Sequence, residues 1–249
     1  MFEVISKTDL FGWVESGLPF DPRFGLKAIQ DAFILSELGE KSGLRILEFG
    51  GGNSRVLPLL ARRNECWNYD SFDGRSGGPS KVPKSRGIKI AVGHMGDLSE
   101  AVPSGYFDVV FSISVVEHVP LAKLADVFRD CARVLKPGGT TLHAIDVYMF
   151  DALQPDHPHN VRVRRTLDAY RTAATDAGFV LAEPERMLPH FFFSSAYASN
   201  PDETMIAWNR AVPSLADLRK AAQSVSLKAI WRKADASIAP TATPPSAGD

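Results

Sequence analysis

Cysteine is nearly absent from this chain, with only Cys66 and Cys131 in 249 residues. Each sits inside an apolar pattern rather than at metal-ligand or disulfide-framework spacing, so both read as reduced core residues of a cytoplasmic protein. Long apolar runs are missing too. None approaches the roughly 20 residues that cross a bilayer, which argues against a membrane span. The opening "MFEVISKTDLFGWVES" carries acids early and no basic flank before an apolar core, so it does not read as a signal peptide. Neither sign of charge is in surplus, with 28 Lys and Arg against 29 Asp and Glu. Without a basic excess, nucleic acid is not the expected partner. The stretch 234–249, "ADASIAPTATPPSAGD", has almost no large apolar residue and is expected to be a disordered tail.

What is present is an ordinary globular composition, 45% hydrophobic, arranged as alternating strands and helices. Leu26, Ile29, Phe33, Ile34 and Leu38 fall near helical spacing. "LRILEF", "CWNYDSF", "IKIAVGHMGD", "YFDVVFSISVV" and "TTLHAIDV" read as five strands. Leu121, Leu124, Phe128, Cys131 and Leu135 share one face of a helix that Pro137-Gly138-Gly139 is expected to end. Val163, Leu167, Tyr170 and Ala174 mark another helix at about 161–177. "FVLAEPE" and "ETMIAWNRAV" are expected to be late strands, and 213–233 a C-terminal helix. Alternation of this kind means βαβ units, hence a doubly wound α/β sheet with helices on both faces.

A glycine run interrupts the pattern in "RILEFGGGNSRVLP", residues 45–58. Loops after the first strand of such sheets hold ligands near the switch point. A phosphate-binding P-loop needs a Lys that is missing here. A dinucleotide fingerprint fits Gly50 and Gly52, but Arg55 stands where its third glycine packs helix against strand. "LEFGGGNS" resembles instead the acid-x-Gly-x-Gly-x-Gly signature of class I S-adenosylmethionine-dependent methyltransferases, with Ser54 in place of the third glycine. Further segments follow in that family's order: Asp70 closing the second strand, Gly96-Asp97 after the third, "YFDVVFSISVVEHV", "RVLKPGG" and "TDAGFVLAEPE".

The resemblance spans about residues 44–210. It implies a mostly parallel, seven-stranded Rossmann-like methyltransferase sheet at 44–212, preceded by an N-terminal helical extension or lid at 1–43. S-adenosylmethionine is the implied cofactor. Gly50, Gly51 and Gly52 would let the backbone pass close to its methionine portion. Glu48 would organise that loop and face the ammonium end, and Asp70, preferred over Asp73, would accept from the ribose hydroxyls. Asp97 would accept from the adenine amine beside Gly96, and Ser112 and Ser114 would contact cofactor or substrate.

Methyl transfer needs alignment and, for a hydroxyl acceptor, a base. The candidates are His143 and Asp146 on the fifth strand and His157 and His159 in the following loop. A Glu-x-x-Glu-His arrangement binds metal in some methyltransferases, but here Ser114 replaces its first acid and no metal is expected. Loop 74–87 carries Arg75, Lys81, Lys84 and Arg86 without an acid, which suits an anionic acceptor. The aromatic run "HFFFSSAY" at 190–197 is placed for a substrate lid. The expected function is O-methylation of a small molecule such as a sugar or glycan intermediate. A quinone or lipid precursor, a peptide, and a non-catalytic cofactor-binding scaffold are the alternatives.

Overall fold

The structure is a computed structural model and describes residues 1–74, 78–84, 86–150, 156, 158–182, 194–201 and 213–235. Strand β2 (Arg45–Phe49) is buried along all but its first residue, as a strand covered on both faces must be. It pairs in parallel with β3 (Glu65–Asp70) on one side and β5 (Phe107–Ile113) on the other. Strand β4 (Ile88–Val92) extends the sheet beyond β3, and β6 (Leu135–Met149) lies parallel to β5. The chain therefore runs outward from β2 to β4 and returns on the other side of β2. That reversal puts the switch point between β2 and β5, where open α/β sheets leave a crevice at the strands' carboxyl ends.

Beyond β6 lies β8 (Gln223–Lys233), antiparallel to it from Gln223↔Met149 to Arg232↔Thr140. Two short strands share its outer edge end to end. Strand β1 (Phe2–Val4) pairs with Leu227–Ala229, and β7 (Phe179–Leu181) with Trp231–Lys233. Among the described residues the sheet thus has eight strands rather than seven. Two of them were not expected: β1, drawn from the N-terminal segment expected to be purely helical, and β8.

The expected C-terminal helix is corrected here. Only α6 (Ala216–Ala221) is helical, after a 3₁₀ turn at Pro213–Leu215, and the rest is β8. Period-two alternation is the cause. Val225, Leu227, Ala229 and Trp231 join the core on one face, while Ser226, Lys228 and Ile230 point to the other.

One face carries α2 (Leu26–Leu38), which buries the expected Leu26, Ile29, Phe33, Ile34 and Leu38 over Ile46, Phe111 and Leu142. The opposite face carries α4 (Leu124–Val134) and α5 (Pro158–Asp176), whose Phe128, Leu167 and Tyr170 pack on Leu47, Phe49 and Trp231. Helix α1 (Lys7–Glu15) buries no residue of its own; a Ser6–Asp9 capping box starts it. Pro137-Gly138-Gly139 does not end α4. It lies inside β6 as an irregularity, since Phe107 faces Leu135 but Val109 faces Thr140. Helix α3 (Leu57–Leu60) is one turn, so Pro58 sits where its missing N–H costs nothing. The expected strand at 203–212, the phenylalanines at 191–193, His157, Arg75 and the tail from 236 onward lie outside the described residues.

Candidate functional site

The loop after β2 opens at the switch point. Gly50 and Gly52 take φ of +65° and +49°, a region that favours glycine. Gly51 is glycine for another reason: a methyl group there would sit 2.8 Å from both Asn68 Oδ1 and the Glu48 carboxyl carbon. Added methyls at Gly50 and Gly52 would meet Val115 at 2.6 Å and Pro79 at 3.0 Å. The clearance expected for a cofactor is therefore already demanded by the chain's own side chains. Glu48 Oε2 and Asn68 Oδ1 are buried without a hydrogen-bond partner, so this corner is short of a donor. Burial pushes the Glu48 carboxyl up to about 7, the Ser54 hydroxyl pulls it back, and the nearby Asp31 charge adds to the rise. Ser54 Oγ also accepts from the Leu57 N–H at 3.0 Å, just ahead of α3.

Arg55, the residue that breaks the dinucleotide spacing, forks onto Asp31 of α2 with bonds of 2.5 and 2.7 Å. This two-pronged pair clamps α2 onto the glycine loop. No sequence signal linked the two, because Asp31 looks like any polar position on a helix.

Asp70 closes β3 and accepts the Gly52 N–H at 2.9 Å on one oxygen and the Phe72 N–H at 2.8 Å on the other. Each carboxylate oxygen keeps a further lone pair for another donor. Asp73 lies instead 3.9 Å from His94. After β4, Gly96 (φ +104°) presses on α4, where an added methyl would stand 3.2 Å from the Val127 nitrogen. The Gly96 N–H donates to the buried Asp130 at 2.8 Å, and Arg133 ties Asp130 to the Val102 and Ser99 carbonyls. Asp97 is exposed at the rim of this loop. Glu48, the three glycines, Asp70, Gly96 and Asp97 thus gather along one edge of the sheet. Pro79 of loop 74–87 lies at the same edge, against Gly52.

Two expected site residues belong to the core. Ser112 and His143 are both 0% exposed. The His143 ring lies between Ser112 Oγ at Nδ1 and Thr141 Oγ1 at Nε2, each at 2.8 Å. Phe49, Phe128 and Trp231 surround it. Burial drives the imidazole down to about 3, so it stays neutral among these core side chains. An unfolded imidazole takes a proton near pH 6.5, which the folded one refuses until about 3. Folding stability should therefore be fully present above 6.5 and fall as pH drops toward 3, by up to about 1.4 kcal/mol per pH unit. Urea unfolding at pH 7, 6 and 5 should show this component in wild type and not in His143→Gln.

Ser114, with φ +51°, ends β5 and turns toward α2. Its hydroxyl lies 2.8 Å from Gln30 Oε1 and 3.0 Å from Asp146 Oδ1. Gln30 Nε2 donates to Asp146 Oδ1 at 2.5 Å and to Ser226 Oγ at 3.1 Å. The Ser114 hydroxyl is thus engaged with Gln30 and Asp146. Burial raises the Asp146 carboxyl, partly offset by the bonds from Gln30 and Ser114. Glu117 stands beside it, in a 3₁₀ turn at Val116–His118 after β5; burial and the Asp146 charge push it well above the carboxylate range. Sequence reading passed over Gln30, since a glutamine on a helix carries no pattern, and met Glu117 only as the second acid of a Glu-x-x-Glu-His arrangement that lacks its first.

His159 starts α5 away from this cluster. Arg162 donates to its Nδ1 at 3.0 Å and its Nε2 faces the Tyr148 carbonyl at 3.3 Å. Arg can only donate and a carbonyl only accept, which puts the proton on Nε2 and occupies the Nδ1 lone pair. Of the three expected bases among the described residues, Asp146 alone is placed in a buried polar cluster at the strands' carboxyl ends. Among the described residues no three His, Cys, Asp or Glu side chains gather as a metal site, and no helix is long and apolar enough to cross a membrane.

This strand order, with a glycine loop at the switch point and an acid closing the next strand, is the arrangement of the Rossmann-like methyltransferase fold. Residues 47–142 match the family model described as a methyltransferase domain. A ubiquinone biosynthesis O-methyltransferase from Maricaulis maris is 33% identical over 119 residues, 47% of this chain and 46% of that protein. The chain therefore aligns with about half of that curated relative. The fold is shared with a phosphoethanolamine N-methyltransferase 2 from Haemonchus contortus, solved with S-adenosylmethionine (TM-score 0.54, 17% identity, 83% of this chain and 53% of that one). It is shared also with the cyclopropane synthase MmaA2 from Mycobacterium tuberculosis (TM-score 0.55, 15% identity, 82% and 83%).

Proposed function

We propose that this protein transfers a methyl group from S-adenosylmethionine to a hydroxyl of a small-molecule acceptor. The observation that carries the reading is Asp70, fixed by two backbone N–H groups beside the glycine loop with lone pairs to spare for ribose hydroxyls. The unpartnered Glu48 and Asn68 oxygens fit the cofactor's donor-rich cationic end. Gly96 and Asp97, steadied by Asp130, would line the adenine. When bound, the cofactor supplies an electrophilic methyl, which leaves binding, alignment and proton handling to the protein.

Oxygen as the acceptor atom draws support from the relative named as an O-methyltransferase of ubiquinone biosynthesis. That name favours a phenolic quinone precursor over a sugar. The sugar reading leaned on the basic loop 74–87, of which Pro79 lies against Gly52. Isothermal titration tests the cofactor site: folded wild type should bind S-adenosylmethionine and S-adenosylhomocysteine, and Asp70→Ala should bind each at least ~10-fold more weakly, one charge-assisted contact being worth about 1.5–3 kcal/mol. No heat of binding to folded wild type would sink the proposal. Release of S-adenosylhomocysteine with catechols and prenylated phenols, but not sugar nucleotides, would separate the acceptor classes; none with any acceptor would favour the scaffold alternative.

A further inference from the structure

Among the acids near the strands' carboxyl ends, Glu117 is the one the fold gives no reason to keep. The fully buried Val116 side chain anchors its turn. Part of the Glu117 side chain reaches the surface, yet both carboxyl oxygens are sealed from water without a well-formed hydrogen bond. The backbone N–H groups of Glu117 and Asp146 give only minor relief against burial. Acids with structural duties here do have donors: Asp130 has Gly96 and Arg133, Asp31 has Arg55, and Glu65 has Trp67, Tyr106 and Lys89. A buried carboxyl kept without a partner is a cost that folding alone does not explain.

Its surroundings are specific. Asp146 faces it from β6, Tyr170 from α5 and the more distant Lys27 charge from α2, while His118 acts on Asp146. Gln30 and Ser114 hold Asp146 in place. The Asp146 charge adds to the rise of the Glu117 carboxyl, which favours its protonated form at rest.

We propose that Glu117 is a catalytic residue that takes the proton of the acceptor's hydroxyl, with Asp146 as its positioning partner. The inference rests on the hydroxyl-methylation reading above. The acceptor's O–H bond breaks with the proton going to Glu117. The oxygen's electron pair forms the bond to the methyl carbon, and the carbon–sulfur pair stays on sulfur. Glu117 must be ionised for this, and the positive charge of S-adenosylmethionine is the natural means of ionising it, since an opposite charge nearby favours a carboxylate.

The test uses carbon-13 NMR of protein labelled at the glutamate carboxyls, with the Glu117 signal identified by its loss in Glu117→Gln. Saturating S-adenosylmethionine should lower the Glu117 titration midpoint by about one pH unit or more relative to saturating S-adenosylhomocysteine, which lacks the sulfonium charge. Equal midpoints would overturn the inference. No binding of either compound would instead count against the proposed function. Stability gives a second reading. The folded-state pKa lies above the unfolded value, so the carboxyl costs stability increasingly as pH rises from about 4.5. Glu117→Gln, or Glu117→Met should the amide fold poorly, is expected to melt ~2 °C or more above wild type at pH 8, with the gap closing at pH 5. A variant less stable than wild type at pH 8 would make Glu117 structural and sink the proposal.

Discussion

Gly51→Ala is expected to lower stability by about 2–3 kcal/mol and to abolish detectable binding of S-adenosylhomocysteine. Gly51 has no positive φ, so the backbone itself accepts alanine and the effect isolates the clash. The new methyl would stand 2.8 Å from Asn68 Oδ1 and from the Glu48 carboxyl carbon. Neither neighbour has room to swing away, with Asn68 2% and Glu48 3% exposed. Moving Asn68 also breaks its 2.9 Å bond to the Gly52 carbonyl, which holds the loop's shape. Overpacking of this kind costs roughly 1–3 kcal/mol and the lost bond about 1 kcal/mol more. Gly12→Ala is the control: nothing lies within 4 Å of its added methyl, and in helix α1 it should gain up to about 1 kcal/mol. Urea unfolding and calorimetric titration of both variants decide it. Wild-type stability and affinity in Gly51→Ala would refute the packing argument.

Lys228→Ala should cost about 3–5 kcal/mol, the range for removing one partner of a buried ion pair. Lys228 is 4% exposed in β8, and its ammonium lies 2.9 Å from Glu3 and 3.0 Å from Asp9, with the Trp13 ring 5.7 Å away. Truncation strands two carboxylates beneath the N-terminal segment. Asp9 also carries the capping box that starts α1, and α1 has no buried residue to hold it otherwise. Amide hydrogen exchange at Phe2–Val4 should accelerate with the loss of stability. The triple variant Glu3→Gln, Asp9→Asn, Lys228→Met removes the charges together and should recover most of the deficit. Failure to recover would mean that Lys228 acts through packing alone.

Legibility tracked how local each constraint was. The glycine loop, Asp70 and Gly96-Asp97 announced themselves because each is a strand end followed by a turn, a pattern carried by neighbouring residues. Helix α2 was equally plain from its period of 3.6. The acceptor side was not. His143 looked like a base at a strand end, but its partners Ser112 and Thr141 make it a core residue. Gln30 reaches Asp146 across 116 positions, and Glu117 gains its meaning only from facing Asp146 and Tyr170.

By itself the sequence determined the parallel α/β sheet and the switch-point loop, since periodicity and turn chemistry are properties of short segments, and its resemblance to the methyltransferase family pointed to the class of cofactor. The fate of residues 223–233 was decided only by tertiary structure. "SVSLKAIW" alternates like a strand, yet Lys228 made it resemble the solvent face of a helix until Glu3 and Asp9, more than 200 residues away, neutralised that lysine inside the fold. The glycine triplet was settled the same way. Its spacing pointed to a bound molecule, and the folded chain adds a second reason, because Val115, Glu48, Asn68 and Pro79 fill the space a side chain would need. Burial and charge pairing depend on partners distant in sequence, and no short window contains them.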